Sequence, residues 1–367
     1  MKRVMIVMGT RPEAIKLCPL VLELKRRRSV ETLVCSTGQH RAMLDSALNA
    51  FSVKPDFDLD SMRTGQTLSD LTGRILRRID EILAAEHPDL LLVQGDTTTA
   101  FTAALAAFHR RIPIGHIEAG LRTYHINDPF PEEFHRQAIS LVADYHFTPT
   151  VAAKRNLLRE GRHESRIFIT GNTVVDALRI TLSEKHPYTD WCLPSNMRLL
   201  LFTAHRRESI GEPLRGMLRA LRRIVEDTPD VLAYFPVHHN PEVRRAAIDI
   251  LKGAPRVRMI EPPEIVSFHH LLSRAYLILT DSGGIQEEAA ALGIPTVVMR
   301  YSSERTEGMR AGVLKLAGSG EQGIYEVSRR LLANGSEEYE AMKKPSAVYG
   351  DGKASARIAD AIERILQ

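Results

Sequence analysis

Cysteine and tryptophan are scarce in this chain. Its 367 residues include three cysteines (Cys18, Cys35 and Cys192) and one tryptophan. An odd number of scattered cysteines provides no disulfide framework and none of the paired Cys-x-x-Cys spacings of a zinc knuckle. This cysteine usage is typical of a reducing compartment, so the sequence predicts a cytoplasmic protein.

Long apolar runs and concentrated charge are also missing. The first apolar run, residues 4–8, is too short for a signal peptide, and no stretch approaches the roughly 20 residues that span a bilayer. The 49 Lys and Arg residues face 45 Asp and Glu residues, with no long basic block. We therefore expect no membrane association and no nucleic-acid partner. An anionic small molecule suits the mildly basic balance.

Metal-binding motifs are absent too. The adjacent pairs His238-His239 and His269-His270 have no metal motif around them, because neighbouring side chains point in opposite directions on a strand and about 100° apart on a helix. No His-Glu-x-x-His motif occurs either. The sequence predicts no metal site.

Short apolar runs that alternate with helical patterns fill most of the chain. Such alternation predicts parallel strands joined by crossover helices, an α/β fold with two Rossmann-like, doubly wound domains that face a cleft. A stretch without periodicity, residues 183–196, predicts a linker between domains 1–182 and 197–352. The segment 353–367 is expected to form a helix, which could pack back on the first domain. The predicted strands are 4–9, 32–36, 90–94, 113–117, 145–147, 167–170, 198–202, 232–235, 257–260, 276–280 and 296–299.

The segment 277–292 is the most informative one. An apolar run ends at Asp281-Ser282, Gly283 and Gly284 follow, and then comes a helical pattern whose first turn is expected to carry Glu287 and Glu288. A helix start without obstructing side chains exposes free backbone N–H groups that can bind phosphate. The alternative is an ordinary strand–turn–helix connection with a good N-cap.

Polar residues collect after the predicted strands of the first half. Arg11 follows the first strand, Asp96 and Glu118 follow two later ones, and Glu132 and Arg136 share one face of the next helix. Their ordinary explanations are an exposed turn arginine, an N-cap aspartate and a surface ion pair. Three carboxylates at one sheet edge also suit proton abstraction and delivery on a small substrate.

Two further patterns are ambiguous. His205 follows the first strand of the second half, where a histidine could contact phosphate, carry a proton or be structural. Residues 318–323 match the dinucleotide fingerprint Gly-x-Gly-x-x-Gly. They lie near the end of the second predicted domain, however, and no strand ending in an acidic ribose ligand follows. We expect no redox cofactor.

Taken together, these motifs resemble the non-hydrolysing UDP-N-acetylglucosamine 2-epimerases. Their order and spacing match over nearly the whole chain. The matching runs are Gly9-Thr10-Arg11-Pro12-Glu13, Gln94-Gly95-Asp96-Thr97, His116-Ile117-Glu118-Ala119-Gly120-Leu121-Arg122, Pro131-Glu132-Glu133, Thr203-Ala204-His205-Arg206-Arg207-Glu208 and Thr280-Asp281-Ser282-Gly283-Gly284-Ile285-Gln286-Glu287-Glu288.

The resemblance implies a fold, an activity and a mechanism. It implies the GT-B architecture, a homodimer in the bacterial cytoplasm, and reversible 2-epimerisation of UDP-GlcNAc to UDP-ManNAc without a cofactor. The implied route eliminates UDP to 2-acetamidoglucal and adds it back. A GT-B glycosyltransferase, an epimerase for a related UDP-2-acetamido sugar, a hydrolysing epimerase and a non-catalytic UDP-sugar sensor are the alternatives.

The resemblance also implies residue roles. The catalytic set would be Asp96, Glu118, Glu132, Arg136 and His205, and the substrate-binding set Arg11, Lys16, Phe268, Ser282, Gly283, Gly284, Glu288 and Arg305. Within the second set, Glu288 would bind the ribose and Phe268 would line the uracil pocket. Gln39, His40, Arg206 and His238 match part of an activating second UDP-GlcNAc site. Gly65 and Met43 depart from that pattern, so allosteric activation stays an open expectation.

Overall fold

Two compact units make up the protein. The computed structural model describes residues 1–38, 41–63, 65–184, 193–204, 206 and 209–367. Unit 1 combines Met1–Ile180 with Gly350–Gln367, and unit 2 comprises Thr181–Tyr349. Across the described ranges, no helix has the length and apolar character needed to cross a membrane.

Unit 1 is built on a parallel sheet of seven strands in the order β3-β2-β1-β4-β5-β6-β7. The order reverses between β1 and β4, and ligands of such sheets bind outside the carboxyl ends of the strands at that reversal. Its elements, up to the helix that leads into unit 2, are β1 (Arg3–Met8), α1 (Arg11–Arg27), β2 (Glu31–Ser36), α2 (Arg41–Ala50), β3 (Phe57–Asp58), α3 (Leu68–Glu86), β4 (Leu90–Gln94), α4 (Thr98–His109), β5 (Ile114–Ile117), α5 (Glu132–Val142), β6 (Tyr145–Thr148), α6 (Val151–Arg159), β7 (Ile167–Ile169) and α7 (Thr173–Ser183).

Unit 2 repeats this topology with six parallel strands in the order β10-β9-β8-β11-β12-β13. Its order reverses between β8 and β11. The remaining elements are β8 (Arg198–Thr203), α8 (Glu212–Asp227), β9 (Val231–Pro236), α9 (Pro241–Leu251), β10 (Val257–Ile260), α10 (Ile265–Ser273), β11 (Leu277–Thr280), α11 (Gly283–Leu292), β12 (Thr296–Val298), α12 (Thr306–Arg310), β13 (Leu314–Leu316), α13 (Glu321–Leu332), α14 (Glu337–Met342) and α15 (Ala354–Ile365). The predicted class, α/β with two doubly wound parallel sheets, is confirmed.

Side-chain periodicity explains most of these elements. Strand β4 is buried along its whole length, as expected for a strand covered on both faces. Helix α3 buries Leu71, Ile75, Ile79 and Leu83, which recur every four residues and form one apolar stripe. The same periodicities are visible in the sequence, and the strand predicted at 90–94 coincides with β4.

Helix α1 begins at Arg11, where Thr10 and Glu13 form a capping box, but the start of α11 differs from the prediction. Helix α11 begins at Gly283, so Glu287 and Glu288 lie in its second turn and not in the first. The two-residue strand β3 and the three-residue strand β13 were missed.

The last helix, α15, belongs to unit 1 and packs on α1. The carboxylate of Asp176 on α7 accepts hydrogen bonds from the backbone N–H groups of Ala354 and Ser355, at 3.1 and 2.8 Å. Arg27 at the end of α1 donates to Asp360 on α15 at 2.6 Å. A buried carboxylate thus serves as the cap of α15, because these first N–H groups have no partner within the helix.

Candidate functional site

Glu118 has the most constrained backbone of the predicted site residues. It follows β5 with a φ of 62°, in the left-handed region that non-glycine residues rarely adopt. Such strain persists where the surrounding structure enforces it, often at functional sites. The buried carboxylate accepts hydrogen bonds from Lys16 at 2.5 Å and from the amide of Gln94. Its Oε2 also lies against Gly95, 3.9 Å from where a Cβ of that residue would stand.

The contact of Gln94 with Glu118 was not predicted from the sequence. Gln94 is the last residue of β4, and its side chain is buried. Its only sequence signal was its place directly before Gly95-Asp96 at a strand end. Since β4 and β5 are neighbours with Gln94 opposite Ile117, the Gln94 amide reaches the carboxylate of the following residue.

Asp96 is not the N-cap of α4. Thr97 fills that role, because its hydroxyl accepts a hydrogen bond from Ala100 N–H at 3.0 Å. The Asp96 carboxylate instead accepts from Arg136 at 2.5 Å. The capping interpretation of Asp96 is therefore wrong, and its carboxylate is held by a cation beyond the end of β4.

Arg136 is buried, so the surface ion-pair interpretation of this residue is also wrong. Besides Asp96, its guanidinium lies 3.5 Å from Glu133 on the same helix. Glu133 is fully buried and accepts hydrogen bonds from the backbone N–H groups of Thr123 and Tyr124, both at 3.0 Å. Glu133 thus fixes the loop before α5, whereas the neighbouring Glu132 is half-buried at the helix start.

His116 secures the turn that carries Asp96. Its Nε2 lies 2.7 Å from the carbonyl oxygen of Gly95, and its ring is fully buried. Burial is the main cause that lowers the pKa of His116 to about 4. The ring is therefore neutral near pH 7, with the proton on Nε2 because the carbonyl can only accept. The turn that carries Asp96 is thus held by a neutral donor.

At the start of α11 in unit 2, Gly283 and Gly284 have different surroundings. Ser282 is the N-cap residue, but its side chain makes no capping hydrogen bond. A Cβ on Gly284 would meet no atom of the described residues within 4 Å, whereas a Cβ on Gly283 would lie 2.4 Å from Nη1 of Arg305. The first turn of α11 thus combines uncapped N–H groups with a guanidinium, the combination that binds anions.

Arg305 belongs to a network of buried charges. It donates to Glu287 at 2.7 Å and also pairs with Glu304. Arg300 donates to Glu304 at 3.1 Å, and Arg206 lies 3.7 Å from it. Burial favours the neutral form of Glu304, but Arg305, Arg300 and Arg206 outweigh it and hold the pKa of Glu304 well below its ordinary range. Glu304 was not predicted as a site residue: Arg300 and Arg305 lie close to it in the sequence, but its contact with Arg206 arises only in the fold.

Glu288 and Phe268 lie on neighbouring helices. Glu288, on the second turn of α11, is buried, and its Oε1 is 3.4 Å from Nε2 of His269. Its Oε2 has no hydrogen-bond partner among the residues that the structure describes. Phe268, on α10, is half-buried, with its ring 6.2 Å from that of His269.

Of the other predicted residues, some lie outside the described ranges and the rest belong to different parts of the two units. His205, Gln39 and His40 lie outside the described residues. Arg11 opens α1 and is half-buried. Arg206 donates its backbone N–H to the carboxylate of Asp281 at 3.1 Å, and His238 is exposed beyond β9. The expected activating site therefore stays a prediction.

Comparisons with known proteins agree with this fold and its motifs. Residues 22–363 match the family model of UDP-N-acetylglucosamine 2-epimerase. A UDP-N-acetylglucosamine 2-epimerase of Bacillus subtilis is 49% identical over 360 residues, which cover 98% of this chain and 94% of that protein. A crystal structure of the Neisseria meningitidis UDP-GlcNAc 2-epimerase bound to UDP-GlcNAc has a TM-score of 0.94 at 41% identity, covering 99% of this chain and 100% of that one.

The fold is of the GT-B type, which glycosyltransferases share. The glycotransferase of kitacinnamycin, only 14% identical, superposes with a TM-score of 0.66 over 100% of this chain and 99% of that one. The two epimerases above are 49% and 41% identical to this chain over nearly its full length, so their similarity to it includes the sequence as well as the fold. The chain belongs to the UDP-N-acetylglucosamine 2-epimerase family.

The neutral state of His116 gives the first prediction. Because its folded pKa of about 4 lies below the unfolded value of 6.5, the stability it contributes is present above pH 6.5 and is lost as the pH falls towards 4. His116→Gln keeps an N–H donor for Gly95 but does not titrate. We expect the variant to lose about 2 kcal/mol less stability than the parent protein between pH 7.5 and pH 5.0, measured by urea unfolding.

His109→Gln, a change at an exposed histidine of α4, is the matched control and should follow the parent protein. If His116→Gln shows the same pH dependence as the parent protein, His116 is not the buried neutral group described here.

Proposed function

We propose that this protein interconverts UDP-GlcNAc and UDP-ManNAc by inverting carbon 2 of the sugar. The proposal rests on the match of nearly the whole chain to proteins named UDP-N-acetylglucosamine 2-epimerase. The motif residues of this chain are gathered at the carboxyl edges of its two sheets. The names of these relatives support an epimerase over a glycosyltransferase.

The chemistry explains why a leaving group must depart before the proton does. Carbon 2 bears an acetamido group, so its proton is barely acidic in the intact UDP-sugar. Breaking the bond between C1 and the diphosphate oxygen leaves an oxocarbenium-like centre, which makes the C2 proton removable. Loss of that proton gives 2-acetamidoglucal and UDP. Proton delivery to the other face of C2 and return of UDP to C1 complete the inversion.

We assign the UDP half of the substrate to unit 2. The departing diphosphate needs positive charge and dipoles aimed at it, and the uncapped start of α11 supplies N–H groups beside the Arg305 guanidinium. Glu288 would accept from the ribose, and Phe268 would line the uracil pocket. The resemblance adds Arg11 and His205 as phosphate ligands.

We assign the chemistry at C1 and C2 to unit 1. Two carboxylates at adjacent strand ends suit removal of a proton from one face and delivery to the other, and each is held by a different cation. Glu118 is paired with Lys16, and Asp96 with Arg136. Glu132, half-buried at the start of α5, would complete the sugar-binding set.

Solvent hydrogen reports this mechanism directly. When UDP-GlcNAc is incubated with the enzyme in deuterated water, we expect both epimers to carry deuterium at C2, because the removed proton exchanges before a proton returns. NMR of the equilibrium mixture measures the label, and the absence of an acceptor excludes glycosyl transfer. Epimerisation without deuterium at C2, or irreversible release of free sugar and UDP, would disprove the proposal.

We further propose that the enzyme is a cytoplasmic homodimer that pairs through α4 and α5. Phe134 and Leu141 lie two turns apart on α5 and are 47% and 69% exposed. Phe134 packs edge-on against Phe101 of α4, and Phe108, seven residues further along α4, is 53% exposed. Helical spacing of seven residues places each pair on one face, so these side chains form a shared apolar surface.

Leu141→Glu tests the homodimer. A buried charge at the centre of an apolar interface costs several kcal/mol, so we expect the variant to be monomeric at micromolar concentration while the parent protein is dimeric, as measured by light scattering. Val151→Glu, at an apolar residue of α6 with 51% exposure, is the control and should stay dimeric. A dimeric Leu141→Glu protein would place the interface elsewhere.

A further inference from the structure

Thr181, His269 and Glu288 form a buried chain of polar side chains in unit 2. The Nδ1 of His269 lies 2.6 Å from the Thr181 hydroxyl, and its Nε2 lies 3.4 Å from Oε1 of Glu288. Thr181 and His269 are both fully buried, and Glu288 is 5% exposed. The role implied for Glu288 by the resemblance involves neither of the other two residues.

The direction of the hydrogen bonds in this chain follows from the chemistry of its ends. An ionised carboxylate can only accept, so the proton of a neutral His269 ring must sit on Nε2 and point at Glu288. Nδ1 is then an acceptor, and the Thr181 hydroxyl must donate to it. Thr181 therefore fixes the tautomer and the ring orientation of His269, which in turn positions one oxygen of Glu288.

The second oxygen of Glu288 is the informative one. Oε2 is buried and has no hydrogen-bond partner among the described residues, although burial of an unpaired carboxylate oxygen is unfavourable. A ligand hydroxyl that donates to Oε2 removes this penalty, whereas a ligand without the hydroxyl does not. A site of this kind discriminates strongly between the two ligands, because the analogue leaves a buried acceptor unpaired.

We propose that Thr181 and His269 are positioning residues that make Glu288 a selector for the ribose diol. They would favour ribonucleoside diphosphate sugars over their deoxynucleoside counterparts. This inference rests on the proposed function, in which Glu288 contacts the ribose. It adds the residues that orient Glu288 and the ligand group that the arrangement selects.

The test compares two nucleotides in a thermodynamic cycle. Calorimetry measures the affinity of UDP and of 2′,3′-dideoxy-UDP for the parent protein, which we expect to prefer UDP at least tenfold. In His269→Leu, UDP affinity should fall about tenfold, while dideoxy-UDP affinity should change less than twofold. His269→Gln, which returns an N–H donor near Nε2, should restore most of the preference. Thr181→Val should lower it by a smaller factor.

Thr296→Val is the matched control. Thr296 is a fully buried threonine of β12 whose hydroxyl bonds the backbone oxygen of Ile294, so its variant should keep the full preference for UDP. Melting temperatures of all variants show that they fold, and Thr181→Val provides the test if His269→Leu does not.

Two results would overturn the inference while the proposed function stands. The first is an equal loss of affinity for both nucleotides in His269→Leu, which would mean that the ring only packs the pocket. The second is a parent protein that converts UDP-GlcNAc but binds both nucleotides equally. A parent protein that neither binds UDP nor converts UDP-GlcNAc would overturn the proposed function and this inference together.

Discussion

A carboxylate removed from water must be given cations or hydrogen-bond donors, and this constraint shapes both units of the protein. In unit 1, Glu118 is satisfied by Lys16 and Gln94. In unit 2, Glu304 is satisfied by Arg300 and Arg305 of its own segment and by Arg206 from the segment after β8. Because each buried carboxylate requires partners from other elements, the loops beyond the strands are tied together at the carboxyl ends of both sheets.

The proposed chemistry depends on the same need of buried carboxylates for cations or hydrogen-bond donors. Lys16 and Arg136 compensate the charge of Glu118 and Asp96, while a buried and neutral His116 holds the turn before Asp96 without adding charge. In unit 2 the guanidinium of Arg305 lies over Gly283 at the start of α11. Gly283 is therefore needed for close approach by the protein's own arginine, while a Cβ on Gly284 would meet no atom of the described part of the chain within 4 Å.

The sequence allowed the strands, the repeated topology and most strand-end residues to be predicted, because apolar periodicity and residue order are local properties. It did not reveal the partners of those residues. Gln94 acquires its role from the distant Glu118, Glu133 from the folded loop at Thr123, and Glu304 in part from the distant Arg206. The capping interpretation of Asp96 failed for a related reason, since Thr97 competes for the same local role and only the tertiary contact with Arg136 decides between them.

In the proposed mechanism, unit 1 performs proton transfer at C2 while unit 2 binds the nucleotide. The most direct measurement is the rate of C2 deuterium incorporation into UDP-GlcNAc by Glu118→Gln, taken together with its Kd for UDP. We expect a rate at least about 100-fold below that of the parent protein with the Kd changed less than threefold. Incorporation at the parent rate, or a loss of UDP affinity as large as the loss of rate, would contradict it.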